Sequence, residues 1–422
     1  MVEKATLNSE RLLSRFLRYV QVNTTANAQT DEYPSSAGQW ELGEILLAEL
    51  NEIGADDVHV DSKALVWAMI PGNVPDAETI AWNAHLDTSP ETTGDNVQPQ
   101  VIESYGGGDI VLPGDTSKVI TVAESPELEA LIGKTLITTD GTTLLGGDDK
   151  AGIAIVMESA QYLLDHPEIP HGPIRILFTC DEEIGRGTNH VDIEKVGAVA
   201  AYTLDGGGAG DIDIETFSAD GLKITVQGVN IHPSIAKNRM VNALRAAGAL
   251  LERMPLDQAP ETTSERVGFM HPYVVQGGVA EVVIDVLLRD FDTEQLQVKA
   301  DLVTAIARDV EQDYPGITIN IEHQKQYRNM ADGLPVEPRA VELAEQAHRE
   351  LEVPFRLSSI RGGTDGSMFT EKGLPTPNLS SGQHMQHSPL EWACLDEMVL
   401  QGQVLIQTTM LWARNADAIN EV

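Results

Sequence analysis

The sequence is poor in cysteine, in basic residues and in long apolar runs, and each shortage excludes a class of protein. Among its 422 residues are only two cysteines, Cys180 and Cys394, which are too few for a disulfide framework and favour a reducing cytoplasm. No stretch reaches the length of a membrane span. Lys and Arg total 28 against 65 Asp and Glu, giving a formal net charge of −37. That charge argues against a nucleic-acid partner, because phosphates would be repelled over most of the surface.

What is present is typical of a globular protein with a large core. The apolar fraction is 42% with 5% aromatic residues, and a chain of 422 residues favours two domains. We interpret the acidity as a highly solvated surface. Near the start, apolar Leu12, Phe16 and Val20 alternate with charged residues. We therefore expect residues 1–20 to form an amphipathic helix, not a signal peptide.

Strand-like and helix-like segments alternate between residues 79 and 204. We predict strands at Thr79–Ala84, Ile174–Thr179 and Val199–Leu204, and a helix at Ala151–Leu164. Acidic or imidazole side chains stand at the strand ends, where α/β sheets build their sites. The predicted fold class is therefore α/β. Residues 91–140, rich in Gly, Pro, Asp and Thr, are predicted to be an elaborated loop region between two core strands.

After Gly206–Gly208 the pattern changes to strands and helices without any cluster of ligand type. The predicted strands are Leu222–Val226, Glu281–Leu288 and Thr318–Glu322, and the predicted helices are Met240–Glu252 and Thr293–Gln312. From Pro338 the chain resumes a helix at Arg339–Glu350, a strand and a glycine-rich loop. We infer a smaller two-layer α/β domain at 218–330, inserted into a domain made of 1–217 and 331–422.

Five short stretches of the larger domain carry side chains that bind divalent cations. They are His85-Leu86-Asp87, Gly147–Lys150, Asp181–Glu183, Asp205 before three glycines, and the late His387. Each alone has a plain alternative: a capped turn, a helix N-cap, a surface loop or a flexible link. Together they supply two imidazoles and at least three carboxylates, the ligand types of a two-metal hydrolytic site.

These motifs, with Leu144–Gly152, Tyr202–Gly208 and Arg361–Gly366, resemble the tripeptide aminopeptidases of the M20 metallopeptidase family, and the likeness extends from the first helix to the last. The resemblance implies an α/β catalytic domain of the zinc-peptidase type, with the inserted domain as a lid and dimerisation domain. It implies two Zn²⁺ ions, other divalent metals being possible. It also implies a short peptide substrate, a homodimer and no membrane partner.

The resemblance assigns roles to individual residues. His85 and Asp205 would bind the first zinc, Glu183 and His387 the second, and Asp148 both. Asp87 would orient His85, since strand alternation puts both side chains on the same side. Glu182 would be the general base that deprotonates the metal-activated water.

Two positions depart from the family pattern, and a third needs placing. The stretch His384-Met385-Gln386-His387 has two histidines; His387 is favoured because Glu391 stands four positions after it, as in the family. Gly147 stands where alanine is common, which should only loosen the turn. Asp149 is expected to point away from the metals and to support the site.

Candidates for substrate binding lie mainly in the inserted domain. By resemblance, His232 would help to polarise the substrate carbonyl in the site of a partner subunit; a loop histidine is the alternative. Arg289 and Arg361 are candidates for the substrate carboxylate, because guanidinium binds carboxylate bidentately, whereas surface ion pairing is the competing account. Asn242 is a further candidate.

The preferred function is a metal-dependent aminopeptidase that releases the N-terminal residue of tripeptides. The alternatives are a related M20 dipeptidase or N-acyl amino acid hydrolase, and a non-catalytic metal-binding or scaffold protein. The presence of Glu182 argues against the last of these. The physiological metal and the side-chain preference stay open.

Overall fold

The computed structural model describes residues 5–419, with side chains as far as Arg414. Within those residues the chain forms nine α-helices and seventeen strands. The helices are α1 (Ser9–Val20), α2 (Ala37–Ile53), α3 (Gly147–Asp165), α4 (Ile193–Val196), α5 (Ala243–Arg253), α6 (Thr293–Asp313), α7 (Arg339–Glu350), α8 (Asp365–Glu371) and α9 (Leu395–Ile419). The strands are β1 (Asp56–Val60), β2 (Val66–Ile70), β3 (Ile80–His85), β4 (Gln100–Ile102), β5 (Ile110–Val111), β6 (Val119–Ile120), β7 (Leu136–Thr138), β8 (Ile174–Thr179), β9 (Ala200–Gly207), β10 (Asp211–Thr216), β11 (Ser218–Gln227), β12 (Phe269–Gly277), β13 (Glu281–Asp290), β14 (Thr318–Tyr327), β15 (Arg356–Ile360), β16 (Asn378–His384) and β17 (Trp392–Cys394).

The chain divides into two compact units. The first comprises the described residues up to Ile214, Gly333–Ser358 and the described residues from Thr364 onward. The second comprises Glu215–Asp332 together with Ser359–Gly363. The segment Ser359–Gly363 lies outside the range 218–330 that the sequence analysis gave to the inserted domain.

The first unit is built on a mixed sheet with the strand order β1-β2-β8-β3-β9-β16-β17-β7-β4, and β10 pairs with β15 and β16. Its centre is parallel: β3 pairs in parallel with β8 and β9, and β9 pairs in parallel with β16. The carboxyl ends of these four central strands therefore meet at one edge of the sheet.

Helices cover both faces of this central sheet. Every residue of β3 is buried, as expected for a parallel strand covered on both sides. Trp82 lies in the large apolar cluster that includes α1, α3 and α9, whereas Ala81 lies in a second cluster with Phe369 of α8 and Val196 of α4. Gly152 lets α3 approach the sheet closely, because a Cβ there would lie 2.2 Å from the carbonyl oxygen of Leu204.

The second unit is a four-stranded antiparallel sheet with the order β12-β13-β11-β14. Strand β13 alternates buried and less buried residues, the pattern of a sheet with only one covered face. Helices α5 and α6 pack on that face through an apolar cluster of their own. The side chains of Asn242 and Asp292 cap the first turns of these two helices.

Two of the differences between the structure and the sequence prediction concern the first helix and residues 91–140; residues 1–4 of the predicted helix lie outside the described residues. Helix α1 begins at Ser9, where the Asn8 side chain accepts a hydrogen bond from the backbone N–H of Arg11. The predicted loop region 91–140 contains strands β4–β7, which are only two or three residues long and so show no alternation in the sequence. Among the helices in residues 5–419, none is both long and apolar enough to cross a membrane.

Candidate metal centre

Four parallel strands and one helix deliver the predicted ligands to one edge of the first unit. His85 is the last residue of β3 and Asp205 lies near the end of β9. Glu183 lies in a short 3-10 turn after β8, and His387 follows β16 by three residues. Asp148 comes from the start of α3, where Asp148 and Asp149 have non-helical dihedral angles and precede the regular helix.

These five side chains form two overlapping groups that share Asp148. In the first, Nε2 of His85 lies 3.0 Å from Oδ1 of Asp148 and 3.7 Å from Oδ1 of Asp205. In the second, Nε2 of His387 lies 3.3 Å from Oδ2 of Asp148 and 2.9 Å from Oε2 of Glu183. Each oxygen of the Asp148 carboxylate thus faces a different histidine.

The donor atoms of each group suit a divalent cation. One imidazole nitrogen and two carboxylate oxygens lie within 4.8 Å of one another in both groups. Oε1 of Glu183 is buried and has no hydrogen-bond partner in the described part of the chain. A buried carboxylate oxygen of this kind is costly unless a cation or proton satisfies it, so the residues fit a pair of metal ions. Mixed imidazole and carboxylate ligands are those that zinc accepts, among other divalent metals.

Strong electrostatic coupling marks the same side chains. Burial lowers the pKa of His387, but its contacts with Asp148 and Glu183 raise that pKa well above the usual range. Contacts with Asp148, Asp205 and Asp87 likewise raise the pKa of His85 against the effect of burial. Burial and the neighbouring charge of Asp148 raise the pKa values of Glu183 and Asp205. In the absence of a cation, protons shared between these imidazoles and carboxylates would offset the repulsion among the acidic side chains.

Two neighbouring acids hold His85 in place. Nδ1 of His85 lies 3.1 Å from the carbonyl oxygen of Asp87 and 3.5 Å from its carboxylate, which leaves Nε2 facing the ligand group. The carboxylate of Asp149 belongs to neither ligand group and accepts hydrogen bonds from the backbone N–H groups of His85 and Gly152.

The turn that carries Asp148 rests on Glu391. Its buried carboxylate accepts hydrogen bonds of 2.8 to 3.0 Å from the backbone N–H groups of Leu145, Gly146 and Asp148. In the sequence, Glu391 indicates only which of two histidines is the ligand, and this contact could not be predicted. A Cβ at Gly147 would lie 3.2 Å from Oε1 of Glu391, which is tighter than an ordinary contact. Glycine there leaves room for the carboxylate.

The two late histidines have different surroundings. His384 stacks on Trp392 with ring centroids 3.8 Å apart, and its Nε2 lies 2.7 Å from Oε2 of Glu397. Its Nδ1 lies 3.5 Å from Oε1 of Glu127. Both ring nitrogens of His384 therefore face carboxylates outside the two ligand groups. His387 is the one of the two late histidines that belongs to a ligand group, the one with Asp148 and Glu183.

Glu182, the predicted general base, lies beside the ligands without belonging to either group. Burial raises the pKa of its carboxyl well above the usual range, and the nearby charges of Asp205 and Asp365 add to the increase. The turn that carries Glu182 begins at Asp181, which has φ 61° and is fixed by hydrogen bonds from Ser35 and Gln39. This anchoring was not predicted from the sequence.

The four predicted substrate-binding residues all belong to the second unit, where each makes local contacts. His232 is exposed, and its Nδ1 lies 2.7 Å from Oγ of Ser234. Asn242 caps α5. Arg289 donates to the carbonyl oxygen of Leu288 and lies over the ring of Tyr327. These contacts do not bring the four residues together in one cluster.

Arg361 is engaged by its own neighbourhood. Its Nη1 donates hydrogen bonds to the carbonyl oxygens of Glu265 and Val267, and its Nη2 donates to Oγ1 of Thr263. The guanidinium also lies over the rings of Phe217 and Phe269. Since Nη1 and Nη2 already have acceptors, these contacts tie the Arg361 side chain to neighbouring segments of the second unit.

A sheet that gathers imidazole and carboxylate ligands at its carboxyl edge is the architecture of a metal-dependent hydrolase. The sequence profile of Peptidase family M20/M25/M40 matches residues 140–410, more than half of the chain. The chain belongs to this peptidase family and is a metallo-aminopeptidase.

Named relatives agree with this assignment. The chain is 42% identical to peptidase T of Geobacillus kaustophilus (strain HTA426) over 408 residues, covering 96% of this chain and 99% of that protein. Its fold is similar to the crystal structure of aminopeptidase PepT from Bacillus cereus ATCC 10987, with a TM-score of 0.74 and 24% identity over 96% of this chain and 99% of the other. It is also similar to a dinuclear metal-binding M20 peptidase of Bacillus subtilis, with a TM-score of 0.65 and 16% identity over 96% and 98% of the two chains.

Proposed function

We propose that the protein removes the N-terminal residue from tripeptides, using two zinc ions held by His85, Asp148, Asp205, Glu183 and His387. The observation that carries the proposal is the shared Asp148, whose two carboxylate oxygens face Nε2 of His85 and Nε2 of His387 at 3.0 and 3.3 Å. One carboxylate between two imidazole-bearing groups suits a pair of ions better than a single ion.

The ions, when bound, would polarise the scissile carbonyl and acidify a water molecule. Asp148, Glu183 and Asp205 would return three negative charges against the four positive charges of two zinc ions, so that the site keeps a net positive charge. Asp87 and Asp149 would keep His85 in the orientation that presents Nε2. The carboxylate of Glu391 would hold the turn that carries Asp148.

Glu182 would act as the general base. Burial raises the pKa of its carboxyl in the absence of a cation. The positive charge of bound ions would favour the carboxylate, which could then accept a proton from water and pass it to the departing amine. Its neighbour Glu183 would be occupied as a ligand. Placing base and ligand side by side keeps the base within reach of the reacting water.

The second unit would serve as the lid and dimerisation domain, limiting substrates to short peptides. His232 would reach the site of a partner subunit, and Arg289, Arg361 and Asn242 remain the candidates for contacts with the peptide. We also propose a cytoplasmic location, which the two free and buried cysteines favour.

A substrate panel combined with metal removal tests the proposal. The protein should hydrolyse a free-amino tripeptide but not its N-acetyl form, lose activity on chelation and regain it with zinc. Cleavage of dipeptides in preference to tripeptides would favour an M20 dipeptidase, and cleavage of the acetyl group would favour an N-acyl amino acid hydrolase. Chelator-resistant hydrolysis would refute the metal mechanism.

A further inference from the structure

The loop after β3 faces both histidines of the candidate centre. Its first part carries Asp87, whose carboxylate lies 3.5 Å from Nδ1 of His85. Four residues later, Oε2 of Glu91 lies 3.4 Å from Nδ1 of His387. In each case the carboxylate faces the ring nitrogen that points away from the ligand group. One loop therefore presents a carboxylate to each imidazole at nearly the same distance.

Thr92, the next residue, holds the backbone of His387. Its Oγ1 donates a hydrogen bond of 2.7 Å to the carbonyl oxygen of His387. His387 has φ 60°, in the left-handed region that non-glycine residues adopt only when their surroundings fix it. The contacts of Glu91 and Thr92 thus constrain both the ring and the backbone of one residue, although they lie about 295 positions away in the sequence.

The burial of the two pairs differs. His85 and Asp87 are fully buried, whereas the side chain of Glu91 is 71% exposed and that of His387 is 35% exposed. An exposed ion pair contributes little to stability, so the Glu91 contact has no evident structural purpose. Orientation of a metal-binding imidazole is a purpose that does not need burial, because a partner on Nδ1 fixes the tautomer and directs the lone pair of Nε2.

We infer that Glu91 and Thr92 are positioning residues for His387 and set the affinity of the second metal site, the one formed with Asp148 and Glu183. This inference rests on the proposed metal-binding role of His387. The carboxylate of Glu91 faces Nδ1 of His387, whereas Asp87 faces Nδ1 of His85 with both its carbonyl oxygen at 3.1 Å and its carboxylate at 3.5 Å. Substituting a partner of this kind costs about 10- to 100-fold in metal affinity.

Stepwise zinc binding, measured by competition with a chromophoric chelator, tests the inference without substrate. Glu91→Ala should weaken the second zinc about 10- to 100-fold and leave the first unchanged. Glu91→Gln should restore most of the affinity, since its amide oxygen can accept from Nδ1–H. Thr92→Val should weaken the same zinc. The matched control is Glu103→Ala, which removes one carboxylate from another exposed position of the 91–140 segment and should change neither affinity.

Three results would overturn the inference. Wild-type affinity for both ions in Glu91→Ala would show that the contact does not orient His387. If Glu103→Ala weakened zinc binding equally, the effect of Glu91→Ala would come from the loss of one negative charge and not from its contact with His387. A higher KM in Glu91→Ala with unchanged zinc affinity would make Glu91 a substrate-binding residue instead. Because zinc affinity is measured without substrate, the two proposals can fail separately. A failure to cleave tripeptides would refute the proposed function, but it would not change the measured effect of Glu91→Ala on zinc affinity.

Discussion

The carboxylate of Asp87 accepts a hydrogen bond of 3.0 Å from the backbone N–H of Glu182, so the residue predicted to orient a ligand also anchors the predicted base. Its second oxygen accepts from the N–H of Glu183 at the same distance. Asp87 thus joins β3, which carries His85, to the turn after β8. This buried side chain therefore helps to set the spacing between His85 and Glu182.

Replacing Asp87 by Asn should disturb the turn and the first metal site together. The amide group of Asn can accept only one of the two backbone hydrogen bonds, and leaving a buried N–H unpaired costs about 1–3 kcal/mol. We expect the free energy of unfolding to fall by that amount in urea titrations, with weaker zinc binding. Asp31→Asn, at an exposed position, is the control. Unchanged stability would show that the Asp87 contacts do not anchor the turn.

Glu182→Gln should separate metal binding from catalysis. Gln cannot accept and return a proton, and general acid–base catalysis contributes about 10²–10⁴-fold, so we expect kcat to fall by that order. Zinc content should stay at the wild-type level, because Glu182 belongs to neither ligand group. Turnover of a tripeptide and metal analysis of the same preparation check both parts. Near wild-type turnover would rule out the assigned role.

Zinc binding should release protons. In the metal-free chain the neighbouring carboxylates raise the pKa values of His85 and His387, and an imidazole must lose its extra proton before its nitrogen can bind a cation. Affinity should therefore fall as the pH falls below these raised values. Calorimetry in buffers of different ionisation enthalpy measures the release. Binding without net proton release would contradict the coupled site described above.

Arg361→Lys should lower the stability of the protein more than it changes substrate binding. Lysine cannot donate to the carbonyl oxygens of Glu265 and Val267 and to Thr263 from one planar group. We expect a lower melting temperature, corresponding to a loss of about 1–3 kcal/mol in the free energy of unfolding, with little change in KM. An unchanged melting temperature with a raised KM would instead support the carboxylate-binding role proposed from the sequence.

The sequence predicted those parts of the fold that depend on local pattern. Strand β8 and helix α7 have the predicted bounds, because a short run rich in branched and apolar residues identifies the strand and a regular apolar stripe identifies the helix. Helix α2 was not assigned, since its apolar residues are interrupted by Gly38 and Gly43 and do not form a clean stripe. Strands of two or three residues, such as β5, are defined only by their partners.

In the candidate centre, too, the features with a local sequence pattern could be predicted. Acids and imidazoles at strand ends can be recognised in the sequence, and the structure brings His85, Asp148, Asp205, Glu183 and His387 into two groups; their roles as ligands stay a prediction. Apart from Asp87, which the strand alternation placed beside His85, the supporting contacts that come from distant parts of the chain could not be predicted. Glu391 and Leu145 are 246 positions apart, and only the folded sheet brings them together.

Anomalous diffraction at the zinc edge, from crystals of the zinc-loaded protein, tests the central claim most directly. We expect two peaks on either side of the Asp148 carboxylate, one bound by His85 and Asp205 and the other by Glu183 and His387. A single ion, or ions bound away from these side chains, would contradict the account.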